Sequence, residues 1–438
     1  MDKKRVAICT LGCKVNQYES AALAGLFQQR GYQVVDSESE ADIYIINTCT
    51  VTHLGDRKSR QLIRRMSRIN PDALIAVTGC YAQVSPEEVL EIPGVDLVVG
   101  TKDRGNLVDL IERTVKGQGQ VKSVSDYTAG DLFEEFPSLP LHGRVRAFLK
   151  IQEGCSNFCT YCIVPYARGP LRSRQPDKII EEARKIIKEG FKEIVLTGIH
   201  TGAYGWDLNS GPTLAGLLQS LSEIPGLLRL RLSSVEPNDI TPELVETLSG
   251  LKVFCRHLHV PLQSGDDEIL QRMGRRYNTW EYARLASILR ENLPDLGLTT
   301  DVMVGFPGET EENFNNSLKF IEKISFSRLH VFKYSPRRGT PAASFGGQVE
   351  PGVKEDRSRK LIETGKNLLA NFAKAYVGHK LDVLVEQPFQ EGGGLYEGLT
   401  GNYIKVVFPG NEDLRGEIVK VKAEKFERDV IRGKIIIK

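Results

Sequence analysis

At 438 residues the chain has room for two or three domains, each with its own core. Hydrophobic residues at 41% and charged residues at 26% are ordinary globular values, which excludes wholesale disorder and fibrous architectures. A formal net charge of +2 gives no global argument for nucleic acid, so any such argument rests on local patches.

The opening residues Met1-Asp2-Lys3-Lys4-Arg5-Val6 lead straight into strand-like apolar sequence, and nothing approaches the roughly 20 apolar residues of a membrane span. A soluble, cytoplasmic protein with no membrane partner is expected. In chain order, short β-branched runs at Arg5 to Leu11, Ile43 to Thr48, Leu74 to Thr78 and Val95 to Val99 predict strands. Helical spacing over Gln17 to Arg30 and Asp56 to Ile69 separates them, and Thr101-Lys102-Asp103 opens another helix. Such alternation predicts an N-terminal α/β domain with a mostly parallel sheet, residues 3–115. Residues 116–143 carry Gly, Gln, Ser, Pro and acids without periodicity and are read as a linker.

A second alternating series follows over residues 144–376. Strands are expected at Val145 to Ile151, Glu193 to Leu196, Leu228 to Leu232, His257 to Val260, Leu298 to Val304 and Leu329 to Tyr334. Helices between them are expected at Asp177 to Glu189, Thr213 to Ser222, Pro242 to Leu248, Trp280 to Asn292 and Glu311 to Ile324, with Pro351 to Tyr376 closing the series. Six strand–helix repeats suit a partial (β/α)6 TIM-like barrel better than a full eight-stranded one. From 377 to 438 the pattern changes to short strands at Leu381 to Glu386, Tyr403 to Val407, Glu417 to Val421 and Ile435 to Lys438. Gly-rich turns such as Glu391-Gly392-Gly393-Gly394 separate them, which fits a small all-β OB-like barrel.

Eight cysteines, all in the first two domains, carry the chemistry. Cys155, Cys159 and Cys162 follow the first barrel strand, where loops build sites. Cys-x3-Cys-x2-Cys on one loop turns three thiolates toward one centre, and thiolates favour iron–sulfur clusters or zinc. Three ligands leave one iron of a four-iron cluster open to a substrate-like ligand. The spacing, the preceding strand and the barrel together favour the cluster over zinc with a remote fourth ligand, or over idle buried thiols. Cys13, Cys49 and Cys80 each sit just past a predicted strand, so a parallel sheet can bring them to one edge. Spacing alone leaves three buried cysteines as an open alternative there.

The loop Cys155-Ser156-Asn157-Phe158-Cys159-Thr160-Tyr161-Cys162 resembles the radical S-adenosylmethionine superfamily. Cys159-Thr160-Tyr161-Cys162-Ile163-Val164-Pro165-Tyr166-Ala167-Arg168-Gly169 resembles its methylthiotransferase branch. Thr197 to Gly202, Ser233 to Pro237, His259 to Gly265 and Asp301 to Thr310 match the branch as well. The resemblance covers nearly the whole chain, including a TRAM-like C-terminal barrel. It implies [4Fe-4S] clusters on both cysteine sets, one chelating S-adenosylmethionine and one carrying sulfur. It also implies adenine packing near Tyr161, contacts to S-adenosylmethionine or the reacting site from Ser234, Glu236, Gln263 and Asp301, and an electron-donor protein such as a flavodoxin or ferredoxin. Cys9 and Cys255 have no counterpart in these motifs and are read as structural.

The implied reaction places a methylthio group on carbon 2 of adenosine 37 in the tRNA anticodon loop, carrying an isopentenyl or a threonylcarbamoyl group. A ribosomal-protein aspartate is the substrate of a further branch. Thr10-Leu11-Gly12-Cys13-Lys14-Val15-Asn16-Gln17-Tyr18-Glu19-Ser20 resembles the threonylcarbamoyl branch most. Local charge agrees with RNA: Arg57, Arg60, Arg64 and Arg68 recur at helical spacing beside Lys58 and Arg65. Arg168, Arg172, Arg174, Arg272, Arg275 and Arg276 are further candidate RNA contacts. In the C-terminal barrel, ten basic residues balance ten acidic ones, while Tyr396, Tyr403 and Phe408 are candidates for base stacking. A zinc-bound, non-catalytic RNA-binding protein is the rival from another class.

Overall fold

The computed structural model describes residues 3–436 apart from 103, 129, 137–143, 210 and 390–392. The N-terminal unit contains β1 (Arg5–Thr10), α1 (Lys14–Gln29), β2 (Gln33–Val35), β3 (Ile43–Thr48), α2 (His53–Ile69), β4 (Leu74–Gly79), α3 (Cys80–Val84), α4 (Pro86–Leu90), β5 (Leu97–Val99), α5 (Leu107–Arg113) and β6 (Val121–Ser123). Its six strands form one parallel sheet in the order β2-β1-β3-β4-β5-β6. Strands β3 and β4 are buried throughout, as a parallel sheet covered on both faces requires. The sequence reading missed β2 and β6, and β6 lies in the stretch read as linker. Both are three-residue edge strands with partly exposed side chains, so neither carries a buried apolar run. A 3-10 turn at Arg104–Asn106 precedes α5, so the helix expected from Thr101 starts later. Asp103, Glu391-Gly392 of the expected turn and the end of the last expected strand, Ile437 and Lys438, lie outside the described residues.

Next come β7 (Arg146–Lys150), a two-residue ladder of β8 (Gln152–Glu153) and β9 (Arg172–Ser173) flanking α6 (Val164–Arg168), and α7 (Pro176–Lys188). They are followed by β10 (Glu193–Thr197), α8 (Leu214–Ser222), β11 (Arg229–Leu232), α9 (Pro242–Gly250), β12 (His257–His259), α10 (Asp267–Arg272), α11 (Thr279–Asn292), β13 (Gly297–Val304), α12 (Glu311–Ile324), β14 (Arg328–Lys333) and α13 (Pro351–Lys374). Parallel sheets β7-β10-β11 and β12-β13-β14 join through single bridges, Leu230 to Phe254 and Ser234 to His259, into a six-stranded open arc. Capping boxes start α11 at Asn278 with Glu281, and α12 at Thr310 with Asn313. Helix α1 leans across to β7, and α13 covers β14.

Alternation along these strands separates two environments. Ala147, Leu149, Ile194, Leu196, Leu230, Leu232, Leu298 and Val302 join the apolar core under the helices. The opposite face is polar: Arg146 is in register with Glu193 and Glu193 with Arg229, while Thr299 faces Arg328 and Asp301 faces His330. The lumen is therefore lined with charge.

Last come β15 (Lys380–Pro388), β16 (Leu395–Thr400), β17 (Lys405–Pro409), β18 (Ile418–Glu427) and β19 (Val430–Ile435), a closed barrel in the order β15-β16-β17-β19-β18. Strand β16 escaped the sequence reading because Glu397 interrupts its alternation, yet that carboxylate is buried against Lys405 at 3.0 Å. The strand expected from Tyr403 begins at Lys405, because Tyr403 occupies a turn at φ +70°. Tyr396 and Phe408 are buried in this barrel's core, as aromatics in small barrels usually are, and offer bases no stacking face. Among the described residues no helix is long and apolar enough to cross a membrane.

Candidate active site

Strands β1, β3 and β4 are neighbours, and Cys13, Cys49 and Cys80 stand just beyond their carboxyl ends. The three thiols run from exposed (Cys13) through partly buried (Cys49) to buried (Cys80). Burial pushes Cys80 up to about 12; Arg168 opposes the rise, and the adjacent Cys49 and Cys13 add to it. At Gly12 a Cβ would stand 2.9 Å from Cys49 Cβ and 3.3 Å from its Sγ, so the space beside these sulfurs exists only because residue 12 lacks a side chain. The backbone N–H of Val51 points at Cys49, and the Arg168 Nε–H donates to Cys80 Sγ at 3.2 Å. Soft thiols supplied with N–H donors are what an iron–sulfur cluster requires of its surroundings.

The second set is on the loop after β7. The Cys155 N–H donates to Gly169 O (3.1 Å), Cys162 N–H to Cys159 O (2.9 Å) and Thr160 N–H to Met273 O (3.0 Å), which fixes the loop against α6 and α10. Burial pushes Cys162 up to about 12, against a backbone N–H from Val164, with Cys159 and Cys155 adding to the rise. A metal would remove these protons, since a coordinating thiol is deprotonated outright. Among the described residues no three His, Cys, Asp or Glu groups approach closely enough to hold one metal ion. Thiolates that each bind a different iron of one cluster stand farther apart than that.

Two buried arginines reach the sulfurs. Arg275 Nη1 donates to Cys159 Sγ at 3.3 Å while its Nη2 pairs with Glu236. Both line a cavity of about 110 Å³ with Asn157, Trp206 and Asp239. Opposite Cys155, His200 Nε2 is 2.7 Å from Asp239 Oδ2. Burial disfavours the charged imidazole, but hydrogen bonds with Asp239 and Cys155 outweigh it and raise His200 to about 10. The other residues expected at the site are dispersed. Tyr161 packs edge-on against Phe306 at 6.4 Å. Ser234 bridges to His259, whose Nε2 lies 3.2 Å from Asp301 Oδ1, and Gln263 (φ +67°) bridges to Val302. Of these carried-over residues, Glu236 alone lines the cavity.

Arg168 is fully buried and joins the two cysteine sets. It ends α6, downstream of Cys162, and besides Cys80 it binds Glu19 Oε1 (2.5 Å), Glu153 Oε1 (3.0 Å) and Asn16 Oδ1 (2.5 Å). Arg104 and Lys150 complete the buried cluster around Glu19. Arg172 and Arg174 are also buried, with Arg172 holding the Pro170 and Arg168 carbonyls and Arg174 holding Glu135 and Glu182. These three arginines and Arg275 are therefore internal rather than RNA contacts. Their sequence settings carry no mark of that, because guanidinium groups suit thiolate, carboxylate and phosphate alike. Arg276 stays exposed.

On α2, Arg57, Arg64 and Arg68 are exposed, whereas Arg60 donates to Tyr81 and Arg65 pairs with Glu38. The helix starts against the barrel mouth: Arg337 binds Asp56 and Thr50, each at 2.6 Å, and the His53 N–H donates to Ser335 Oγ. The basic stripe thus runs outward from that mouth.

Residues 5–100 match the uncharacterized protein family UPF0004, residues 149–321 the radical SAM superfamily and residues 374–436 the TRAM domain. The chain is 48% identical, over 95% of its length and 93% of the relative's, to the threonylcarbamoyladenosine tRNA methylthiotransferase MtaB of Bacillus subtilis (strain 168). It is 38% identical, over 99% of each chain, to the tRNA-2-methylthio-N(6)-dimethylallyladenosine synthase of Moorella thermoacetica. The radical S-adenosylmethionine methyltransferase TsrM from Kitasatospora setae shares the fold, with a TM-score of 0.58 at 15% identity over 78% of this chain and 74% of that one. With two cysteine-bearing domains and a closed C-terminal barrel in that order, the chain belongs to the radical S-adenosylmethionine methylthiotransferases, iron–sulfur enzymes that modify tRNA.

Proposed function

We propose that this enzyme places a methylthio group on carbon 2 of N6-threonylcarbamoyladenosine at tRNA position 37, in the cytoplasm, using S-adenosylmethionine both as methyl donor and as radical source. The observation that carries the reading is the pairing of two three-cysteine sets, with Arg168 of one loop hydrogen-bonded to Cys80 of the other. When bound, a cluster on Cys155, Cys159 and Cys162 supplies the electron that cleaves S-adenosylmethionine, and one on Cys13, Cys49 and Cys80 supplies the sulfur to be methylated. The chain's residues keep these tasks apart. Arg275 and His200 hold Cys159 and Cys155 from the barrel side, and Arg168 holds Cys80 from within the buried charge cluster. A small reducing protein such as a flavodoxin or ferredoxin supplies electrons. The threonylcarbamoyl reading is supported by the name of the relative at 48% identity, whereas the Moorella thermoacetica relative, named for the dimethylallyl nucleoside, stands lower at 38%.

Mass spectrometry of tRNA nucleosides from a host lacking its own enzyme tests the reading. With this gene, 2-methylthio-N6-threonylcarbamoyladenosine is expected to appear. Cys155→Ala is expected to lose both product and S-adenosylmethionine cleavage, whereas Cys80→Ala loses product and keeps cleavage. The isopentenyl derivative in its place would overturn the substrate. No nucleoside change from an iron-loaded protein would overturn tRNA as substrate.

The exposed stripe makes a separate prediction. Replacing Arg57, Arg64 and Arg68 with Gln is expected to weaken tRNA binding uniformly and to flatten the plot of log affinity against log salt by about 2 units. Filter binding at several salt concentrations reads this directly, and an unchanged slope would remove α2 from the RNA path.

A further inference from the structure

The lumen of the open barrel holds two cations that, among the described residues, have no paired anion. Lys14 opens α1 one residue after Cys13, and Arg328 opens β14, the last strand of the arc. Lys14 is within electrostatic reach of Tyr403, Arg231, Arg146 and Glu193, and both Lys14 and Arg328 act on the His257 and His330 rings. Arg328 is in register with Thr299, whose hydroxyl His257 and His259 hydrogen-bond, and Tyr403, beside Lys14, stacks on His257, so the two cations share one region of the lumen. Among the described residues neither side chain has a hydrogen-bond or ion-pair partner.

Nearby anions are already committed. Glu193 binds Arg231 at 2.7 Å, Glu386 binds Arg146 at 2.7 Å, and Asp301 lies 3.2 Å from His259. Asp429 reaches Arg328 only through space, without pairing. Both residues are partly buried, and partly desolvated cations without a paired counter-charge are stabilised by a ligand that brings an anion. The two candidate nucleosides differ in this respect. An isopentenyl group is a hydrocarbon, whereas a threonylcarbamoyl group ends in a carboxylate and a hydroxyl.

Resting on the reading that N6-threonylcarbamoyladenosine is the substrate, we propose that Lys14 and Arg328 receive the carboxylate of its N6 substituent and so select it over the isopentenyl nucleoside. Lys14 adjoins Cys13, so a substituent anchored there keeps the purine beside the N-terminal cysteine set. Lys14 and Arg328 are specificity residues with no part in the radical step.

The test is equilibrium binding of the reconstituted full chain to fluorescent anticodon stem-loops that differ only at the N6 substituent of adenosine 37. The substituents are threonylcarbamoyl, its uncharged primary amide, and isopentenyl. Wild type is expected to hold the threonylcarbamoyl loop roughly 10- to 100-fold more tightly than the amide loop, the range of one charge-assisted hydrogen bond. Lys14→Met and Arg328→Met are each expected to shrink that ratio, and Lys14→Arg to keep it. Arg328 belongs to a different element from either cysteine set, so its variant stands even if Lys14→Met disturbs iron loading. An unchanged ratio in both Met variants overturns the proposal. Equal weakening of all three loops overturns it in favour of a backbone phosphate, and weakened S-adenosylmethionine binding without RNA overturns it in favour of that molecule's carboxylate. Turnover separates the layers. If wild type methylthiolates only the isopentenyl loop, the substrate reading itself falls; if it methylthiolates the threonylcarbamoyl loop with an insensitive ratio, only the present proposal falls.

Discussion

Arg168→Met is expected to destabilise the protein by about 3–5 kcal/mol, read as a lower urea midpoint of the first unfolding transition. The side chain is fully buried, and its loss strips a partner from Glu19, Glu153, Asn16 and Cys80 at once. Two of those are carboxylates with no access to water, and removing one member of a buried charge group leaves the others uncompensated. Arg168→Lys should rescue little, because a single ammonium cannot span four acceptors arranged around a planar fork. Acid behaviour gives a second reading of the same cluster. Burial opposes ionisation of Glu19, but Arg104, Arg168 and Lys150 outweigh it and hold its carboxyl well below the ordinary 4.5. The resulting stability is present above pH 4.5 and is lost as pH falls through the depressed value. In Arg168→Met that loss should begin at higher pH. A midpoint and acid profile matching wild type would show that the cluster is not coupled as described.

Gly154→Ala should be nearly as damaging. Gly154 precedes Cys155 at φ +75°, and a Cβ there would lie 1.8 Å from Pro170 O and 2.7 Å from Gly169 O. Those are backbone atoms that also receive the Cys155 N–H and the Arg172 guanidinium, so they cannot yield without moving the cysteine loop. A loss of about 3 kcal/mol or more is expected, with reduced iron content and weakened S-adenosylmethionine binding. Gly190→Ala is the internal control. It has φ +96° with nothing within 4 Å, so it carries only the left-handed backbone strain of about 1–2 kcal/mol. Calorimetric titration and thermal melts of the two variants side by side would show the difference. Equal effects would mean that the crowding at Gly154 is relieved by an easy shift.

The Cys155, Cys159 and Cys162 loop stood out by its own spacing after a strand, whereas for Cys13, Cys49 and Cys80 spacing left three buried cysteines open and the family resemblance carried the grouping. The parallel N-terminal sheet and the six-strand arc were legible from apolar runs in Ile43–Thr48, Leu74–Gly79 and Glu193–Thr197. What escaped was contact across long separations. Arg168 and Arg275 read as phosphate contacts, yet their partners Cys80 and Cys159 lie 88 and 116 residues away. Lys14 was visible only as part of a motif, because its isolation depends on which anions Arg231 and Arg146 have already taken. Tyr403 looked like a strand residue of the last barrel, since nothing local reveals that its ring leaves that barrel altogether.

Tyr403 stacks on His257 with ring centroids 4.3 Å apart, lies under Arg231 at 4.2 Å, and accepts from Arg146 Nη1 at 2.9 Å. Arg229 and Arg231 also hold carbonyls of Asp382, Leu399 and Gly401. The last domain thus supplies the floor of a chamber whose walls are made earlier in the chain. During synthesis, which runs from the N-terminus, the walls emerge first and their charges face an open, wet cavity. The chamber is sealed only when residue 403 has left the ribosome.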